Sequence, residues 1–163
     1  MNDSTKSLSP EGVERVIRDV VGTLVPNTVA IDVDRFSRSD MTSFWLKPVR
    51  RTAATLTLAV DDSGDRVYMI LGRTTYLEID FRGGTLTKAE AIEEIRLVCQ
   101  AIVDGRFRER VWTRNGEIVR ALGILNLEGQ AETRISYCKP WSFLIPFGAR
   151  DNQDYLYTPY APS

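Results

Sequence analysis

The chain has 163 residues, with 21 Lys and Arg against 22 Asp and Glu, two cysteines and no histidine. That length suits one domain with a core large enough to need no disulfide or metal staple, and 43% hydrophobic with 26% charged residues is the composition of a soluble globular protein. The missing histidine excludes a Ser-His-Asp or Cys-His nucleophilic centre, a His-ligated metal site and a histidine base or pH switch.

Met1–Ser9 lacks the basic-then-apolar order of a secretory signal. No later run approaches the roughly 18 apolar residues of a transmembrane helix. A first helix is predicted from Pro10. Ser9 supplies the cap, Pro10 suits the first helical position and Glu11 complements the N-terminal dipole. Val13, Val16, Ile17, Val20, Val21 and Leu24 then draw one apolar stripe that Pro26 ends.

From Thr28 to Phe81 the period changes to two. Val29, Ile31 and Val33 alternate with Ala30, Asp32 and Asp34. Ser43–Pro48 reads as a short strand. Arg51–Val60 and Arg66–Leu71 read as a hairpin around Asp61-Asp62-Ser63-Gly64-Asp65. Gly72 is expected to mark a bulge before a strand at Thr74–Phe81, and Gly83-Gly84 to end this sheet segment. A second helix opens with a capping box formed by Thr87 and Glu90. Ile92, Ile95, Val98, Cys99 and Ile102 form its stripe, and Gly105 supplies a left-handed stop. Cys99 and Cys138 make no CxxC pair and are expected as reduced, buried thiols, which favours the cytoplasm.

Asn115-Gly116 predicts a type I′ two-residue turn between Arg106–Arg114 and Glu117–Leu127. An unbroken register then sets Arg114 opposite Glu117, Trp112 opposite Val119, Arg110 opposite Ala121 and Arg108 opposite Gly123. A tight turn at Glu128-Gly129 leads to a strand at Ala131–Cys138, placing Arg134 opposite Gly123 and Ser136 opposite Ala121. In that register Phe107, Val111, Ile118, Leu122, Ile124, Ile135 and Tyr137 face the core, and Arg106, Arg108, Arg110, Trp112, Arg114 and Arg134 face outward.

The fold expected is α+β: a single domain with a mainly antiparallel, twisted sheet of about six to eight strands and two amphipathic helices packed on one face. Residues 1–8 form a flexible N-terminus, 9–138 the domain, and 139–163 an aromatic, proline-rich tail packed on it. Trp141-Ser142-Phe143-Leu144-Ile145-Pro146-Phe147 is too apolar to stand free in water, and either covers the domain or binds a partner or another copy of the chain.

Among candidate sites, Arg108, Arg110, Trp112 and Arg134 combine residue types enriched at binding hot spots with the planar donor fork of arginine. Trp141 and Phe143 are the tail's candidate contacts. The competing account of the arginine face is a solvated surface guarded against edge pairing. Asp32/Asp34 and Glu78/Asp80 each share one side of a strand, but strand alternation generates such pairs routinely, and no metal or other cofactor is assigned. Arg82-Gly83-Gly84-Thr85 precedes a helix without either phosphate-loop pattern and reads as a loop.

The leading functional expectation is a non-catalytic protein-binding domain of a bacterial immunity, chaperone or adaptor type. It has a protein partner and no membrane, and a homodimer stays open. A net charge of −1 disfavours nucleic acid. The alternative is a small-molecule-binding domain or cupped-sheet enzyme, with arginines on an anionic ligand and Glu78, Asp80 or Glu109 as base.

Overall fold

The computed structural model describes residues 8–36, 40–80, 86–138 and 151–161. The Arg82–Thr85 loop, Trp141, Phe143 and the thiol of Cys138 lie outside the described residues.

Helix α1 (Pro10–Gly22) begins where its sequence signals place it, with Ser9 Oγ accepting from the amide of Gly12 at 3.2 Å. Its stripe of Val13, Val16, Ile17 and Val20 is buried. Helix α2 (Lys88–Val103) carries the full capping box: the amide of Glu90 donates to Thr87 Oγ1 at 3.2 Å and the amide of Thr87 to Glu90 at 2.7 Å. Gly105 takes φ +70 behind it, a left-handed turn that a side chain would strain.

The strands form two antiparallel sheets rather than one. The first is a meander of β1 (Val29–Phe36), β2 (Met41–Pro48), β3 (Leu56–Asp61), β4 (Arg66–Leu71) and β5 (Thr75–Asp80). The second contains β6 (Phe107–Arg114), β7 (Glu117–Leu125), β8 (Thr133–Cys138) and β9 (Asp151–Leu156), in the order β8-β7-β6-β9. The expected single sheet of six to eight strands is therefore nine strands, among the described residues, divided five and four. Helix α2 lies between β5 and β6 in the chain and breaks the ladder there. Side chains of β5 then meet the inward face of the second sheet instead of pairing with its edge.

One hydrophobic core joins both helices to Phe44, Leu46, Leu56, Leu58, Val60, Val67, Met69, Leu71 and Ile79 of the first sheet, and to Phe107 and Leu125 of the second. The C-terminal segment is tied into it. Tyr160 is wholly buried, its hydroxyl donates to the carbonyl of Ala54 at 2.7 Å, and its amide donates to Val103. Burial of a side chain this size contributes on the order of 2–3 kcal/mol.

Three local expectations are corrected. Gly72 is not a bulge: Leu71 pairs directly with Thr75, and Gly72-Arg73-Thr74 is a three-residue hairpin turn with Gly72 at φ +62. The β7–β8 connection is longer than a tight turn, because Leu125 pairs with Thr133. Most consequential is β6–β7. Asn115 and Gly116 adopt the expected positive φ values of 51 and 79, and Arg114 faces Glu117. The register then slips between Trp112 and Thr113, so that Trp112 faces Arg120 and Val119 is the extra residue.

A one-residue slip exchanges the faces of a strand. Val119, Ala121, Gly123 and Leu125 point inward, while Leu122 and Ile124 share the outward face with the arginines. Arg108 faces Ile124 and Arg110 faces Leu122, and Arg134 on β8 pairs with Ile124. The expected core positions of Leu122 and Ile124, and the expected neighbours Gly123 and Ala121 beneath the guanidinium groups, are thereby overturned. Tyr137, also expected in the core, is exposed.

Candidate functional site

Two transverse rows build the outward face of the second sheet. Arg134, Ile124, Arg108 and Leu156 stand side by side on β8, β7, β6 and β9. Ser136, Leu122, Arg110 and Asp154 form the next row, followed by Arg120 beside Trp112. The structure thus brings Arg108, Arg110, Trp112 and Arg134 onto one surface.

The arginines are not bare. Glu132 accepts from Arg108 and from Arg134, both at 3.0 Å, and Arg134 first, then Arg108, holds its carboxyl below the usual range. Asp154 takes two bonds from Arg110, one of them 2.6 Å long, with the same effect on its own carboxyl. Arg120 stacks over Trp112 with 4.7 Å between the guanidinium carbon and the ring centroid. These pairs fix the directions of the side chains, although exposed pairs add little stability. Between them lie Leu122 and Ile124, half-buried, and Leu156 at 75% exposure. A cavity of about 230 Å³ opens among Arg108, Arg110, Leu122, Ile124 and Leu156.

The opposite face of the same strand carries Glu109, only 2% exposed. One carboxylate oxygen, Oε1, accepts from the amide of Thr74 at 3.0 Å and from the hydroxyls of Thr74 at 3.0 Å and Thr75 at 2.8 Å. The other, Oε2, accepts from the amide of Arg73 and the hydroxyl of Tyr157, each at 3.0 Å. Five donors meet a group with about four lone-pair sites, so nothing is left to take a proton from a substrate. Glu109 joins the β4–β5 turn to β6 and the C-terminal segment. Burial, and then the charge of Glu109, push the Tyr157 hydroxyl above its ordinary range.

The remaining carboxylate candidates lie on the outward side of the first sheet. Asp32 pairs with Lys47 at 2.6 Å, and Arg66 lies 3.7 Å from Glu78 and 3.8 Å from Asp80. Asp61 accepts the amides of Asp65 and Arg66 and closes its hairpin. No group of three or more potential metal ligands occurs among the described residues. No helix among them is long and apolar enough to cross a membrane.

Pattern reading missed Leu122 and Ile124, because the bulge that turns them outward leaves no residue signature. It also missed Leu156, which ends a strand whose first four residues are Asp, Asn, Gln and Asp. Glu109 did have a signal: a charged residue between the inward-facing Phe107 and Val111. Comparisons with protein-family models, curated proteins and solved structures found no match to this chain.

Proposed function

We propose that the protein is a non-catalytic binding domain that takes a protein partner on the outward face of β6–β9. The observation that supports this most is the apolar centre of Leu122, Ile124 and Leu156, set among Arg108, Arg110, Arg134 and Trp112. An apolar core within a rim rich in Arg and Trp is the anatomy of a protein interface. Four arginines, counting Arg120, stand against two carboxylates, Glu132 and Asp154. The partner that complements this surface is a segment with apolar side chains flanked by acidic ones. Its burial would desolvate the arginine pairs, which favours segments that can offer guanidinium groups new acceptors. Saturation of Glu109 weighs against the alternative in which it serves as a catalytic base. The cytoplasm fits this reading, with Cys99 carried as a free, buried thiol.

The test is affinity capture from the native host with three forms of the chain: wild type, Leu156→Glu, and the Arg108→Glu/Arg134→Glu double variant. A captured protein with an acidic, apolar segment, lost with both variants, supports the proposal. Capture unaffected by either variant overturns it. Self-association that Leu156→Glu abolishes would make the face a homodimer interface and overturn the choice of a different partner.

A further inference from the structure

We infer that the protein also has a small-ligand site, for an organic anion, in a cleft that adjoins the β6–β9 face along β9 and shares Asp154 and Leu156 with it. The cleft is formed by three segments distant in sequence: the loop of residues 51–55, the turn at Gly72 and Arg73, and residues 154–157 of β9 and its continuation. Its volume is about 540 Å³, within the range of small-molecule sites.

Arg51 and Arg73 both line it, and neither forms an ion pair with a carboxylate among the described residues. Arg18, Arg66, Arg96, Arg106, Arg108, Arg110 and Arg134 all do so elsewhere in the molecule. The one acid in the lining, Asp154, is already bound to Arg110. Two guanidinium groups that border one cavity, with no carboxylate partner among the described residues, are suited to a carboxylate or phosphate oxygen.

The walls specify the rest of the ligand. The Arg73 guanidinium lies over the ring of Tyr155, 4.4 Å from its centroid, and Tyr155 and Tyr157 stack with centroids 6.4 Å apart. With Ala53 and Leu156 they give a flat, apolar surface for an aromatic or similarly flat body attached to the anionic head.

The site is held in advance of any ligand. Glu109 pins the amides of Arg73 and Thr74 and the hydroxyl of Tyr157, so the turn that displays Arg73 and one wall of the cleft share a buried anchor. Thr52 Oγ1 and Thr158 Oγ1 meet at 2.8 Å and tie the Arg51 loop to the C-terminal segment. Such preorganisation lowers the ordering cost of binding. Gly72 packs tightly against the same anchor: a Cβ there would lie 2.6 Å from the Tyr157 hydroxyl and 2.9 Å from Glu109.

Phenyl phosphate and benzoate are suitable probes, with benzyl alcohol as the uncharged control, in an amide-resolved NMR titration of the full chain. The expected result is saturable shifts centred on Arg51, Arg73 and Tyr155 for at least one anion. Arg51→Ala and Arg73→Ala should each weaken binding by about tenfold, the usual scale for one charge-assisted bond. Arg15→Ala, an equal loss of charge on α1, should leave it unchanged. Both cleft arginines are exposed, so folding is not at stake, and Arg51→Ala carries the test alone if the Arg73 variant is perturbed. Shifts that fail to saturate, equal affinity for benzyl alcohol, or equal weakening by Arg15→Ala would overturn the assignment.

Discussion

Gly123 on β7 and Thr75 on β5 meet where the two sheets pack, and the contact leaves no room for a side chain on the glycine. A Cβ on Gly123 would stand 2.4 Å from Thr75 Cγ2 and 2.6 Å from its hydroxyl. Thr75 cannot swing away without cost, because that hydroxyl donates to Glu109 at 2.8 Å. Gly123→Ala is therefore expected to destabilise the fold by about 1–3 kcal/mol, the scale of overpacking a tight core. Thr75→Ala in the same chain should recover part of that loss, since it removes the two closest atoms. Urea unfolding of both single variants and the double variant measures the coupling. Additive effects would show that the sheets do not meet through this pair.

Glu109 provides the second test of the same junction. Glu109→Ala strands the amides of Arg73 and Thr74, which bond no other acceptor among the described residues, and each donor left unpaired in this partly buried turn costs up to about 1–3 kcal/mol. Glu109→Gln keeps one accepting oxygen, and the threonine hydroxyls can reverse to accept from its amide group, so it should cost less. Tyr157→Phe removes a single bond and should cost about 1 kcal/mol. Because Tyr157 shares the carboxylate, its substitution should matter less once Glu109 is alanine. Denaturation midpoints in the order wild type, Tyr157→Phe, Glu109→Gln, Glu109→Ala, from most to least stable, would bear this out. A Glu109→Ala variant as stable as wild type would exclude the clamp.

Which parts of this arrangement are legible in the sequence follows from the range over which each is determined. The caps at Ser9 and Thr87, the stripes of both helices and the positive φ values at Asn115-Gly116 depend on neighbours within a few residues. Local chemistry dictates them. The bulge at Trp112/Thr113 does not work that way. Ile118-Val119 and Leu122-Gly123-Ile124-Leu125 put apolar residues on both faces of β7, so hydrophobic alternation cannot choose between two registers one residue apart. The choice falls to a distant partner: the bulged register puts Gly123, with no Cβ, against Thr75. The division into two sheets is equally remote, since it rests on β5 packing across β7 and on Asp151–Leu156 returning to the free edge of β6. That strand is mostly Asp, Asn and Gln at its start and carries no alternating apolar signal.

The same consideration applies to the candidate face. Arg108, Arg110 and Trp112 could be placed on one side of a strand by alternation alone, and Arg134 by its position in the next strand. Their acid partners Glu132 and Asp154, and their apolar companions, come from the long-range register. A face that reads as uncompensated positive charge in one dimension becomes, in three, a set of ion pairs around an apolar centre.

Buried proton-bearing groups set the alkaline limit of the fold. Burial pushes the Cys99 thiol from 9.0 up to about 12, and burial likewise raises the hydroxyls of Tyr157 and Tyr160 above their ordinary value of 10.0. In each case the folded state holds a proton that the unfolded chain releases at lower pH. Stability therefore falls as pH rises, because the unfolded state binds fewer protons. The contribution of Cys99 is complete below pH 9 and declines between 9 and about 12, and those of the tyrosines decline from about pH 10 upward. Urea midpoints measured from pH 7 to 11 should be level at first and drop steadily past pH 9. Cys99→Ala should flatten the early part of that drop, while costing some packing at every pH. As a companion measurement, a thiol reagent should leave Cys99 unmodified in the native protein at pH 8 and modify it once urea unfolds the chain. Rapid native modification together with a midpoint level to pH 11 would show that Cys99 is not sealed between α2 and the core.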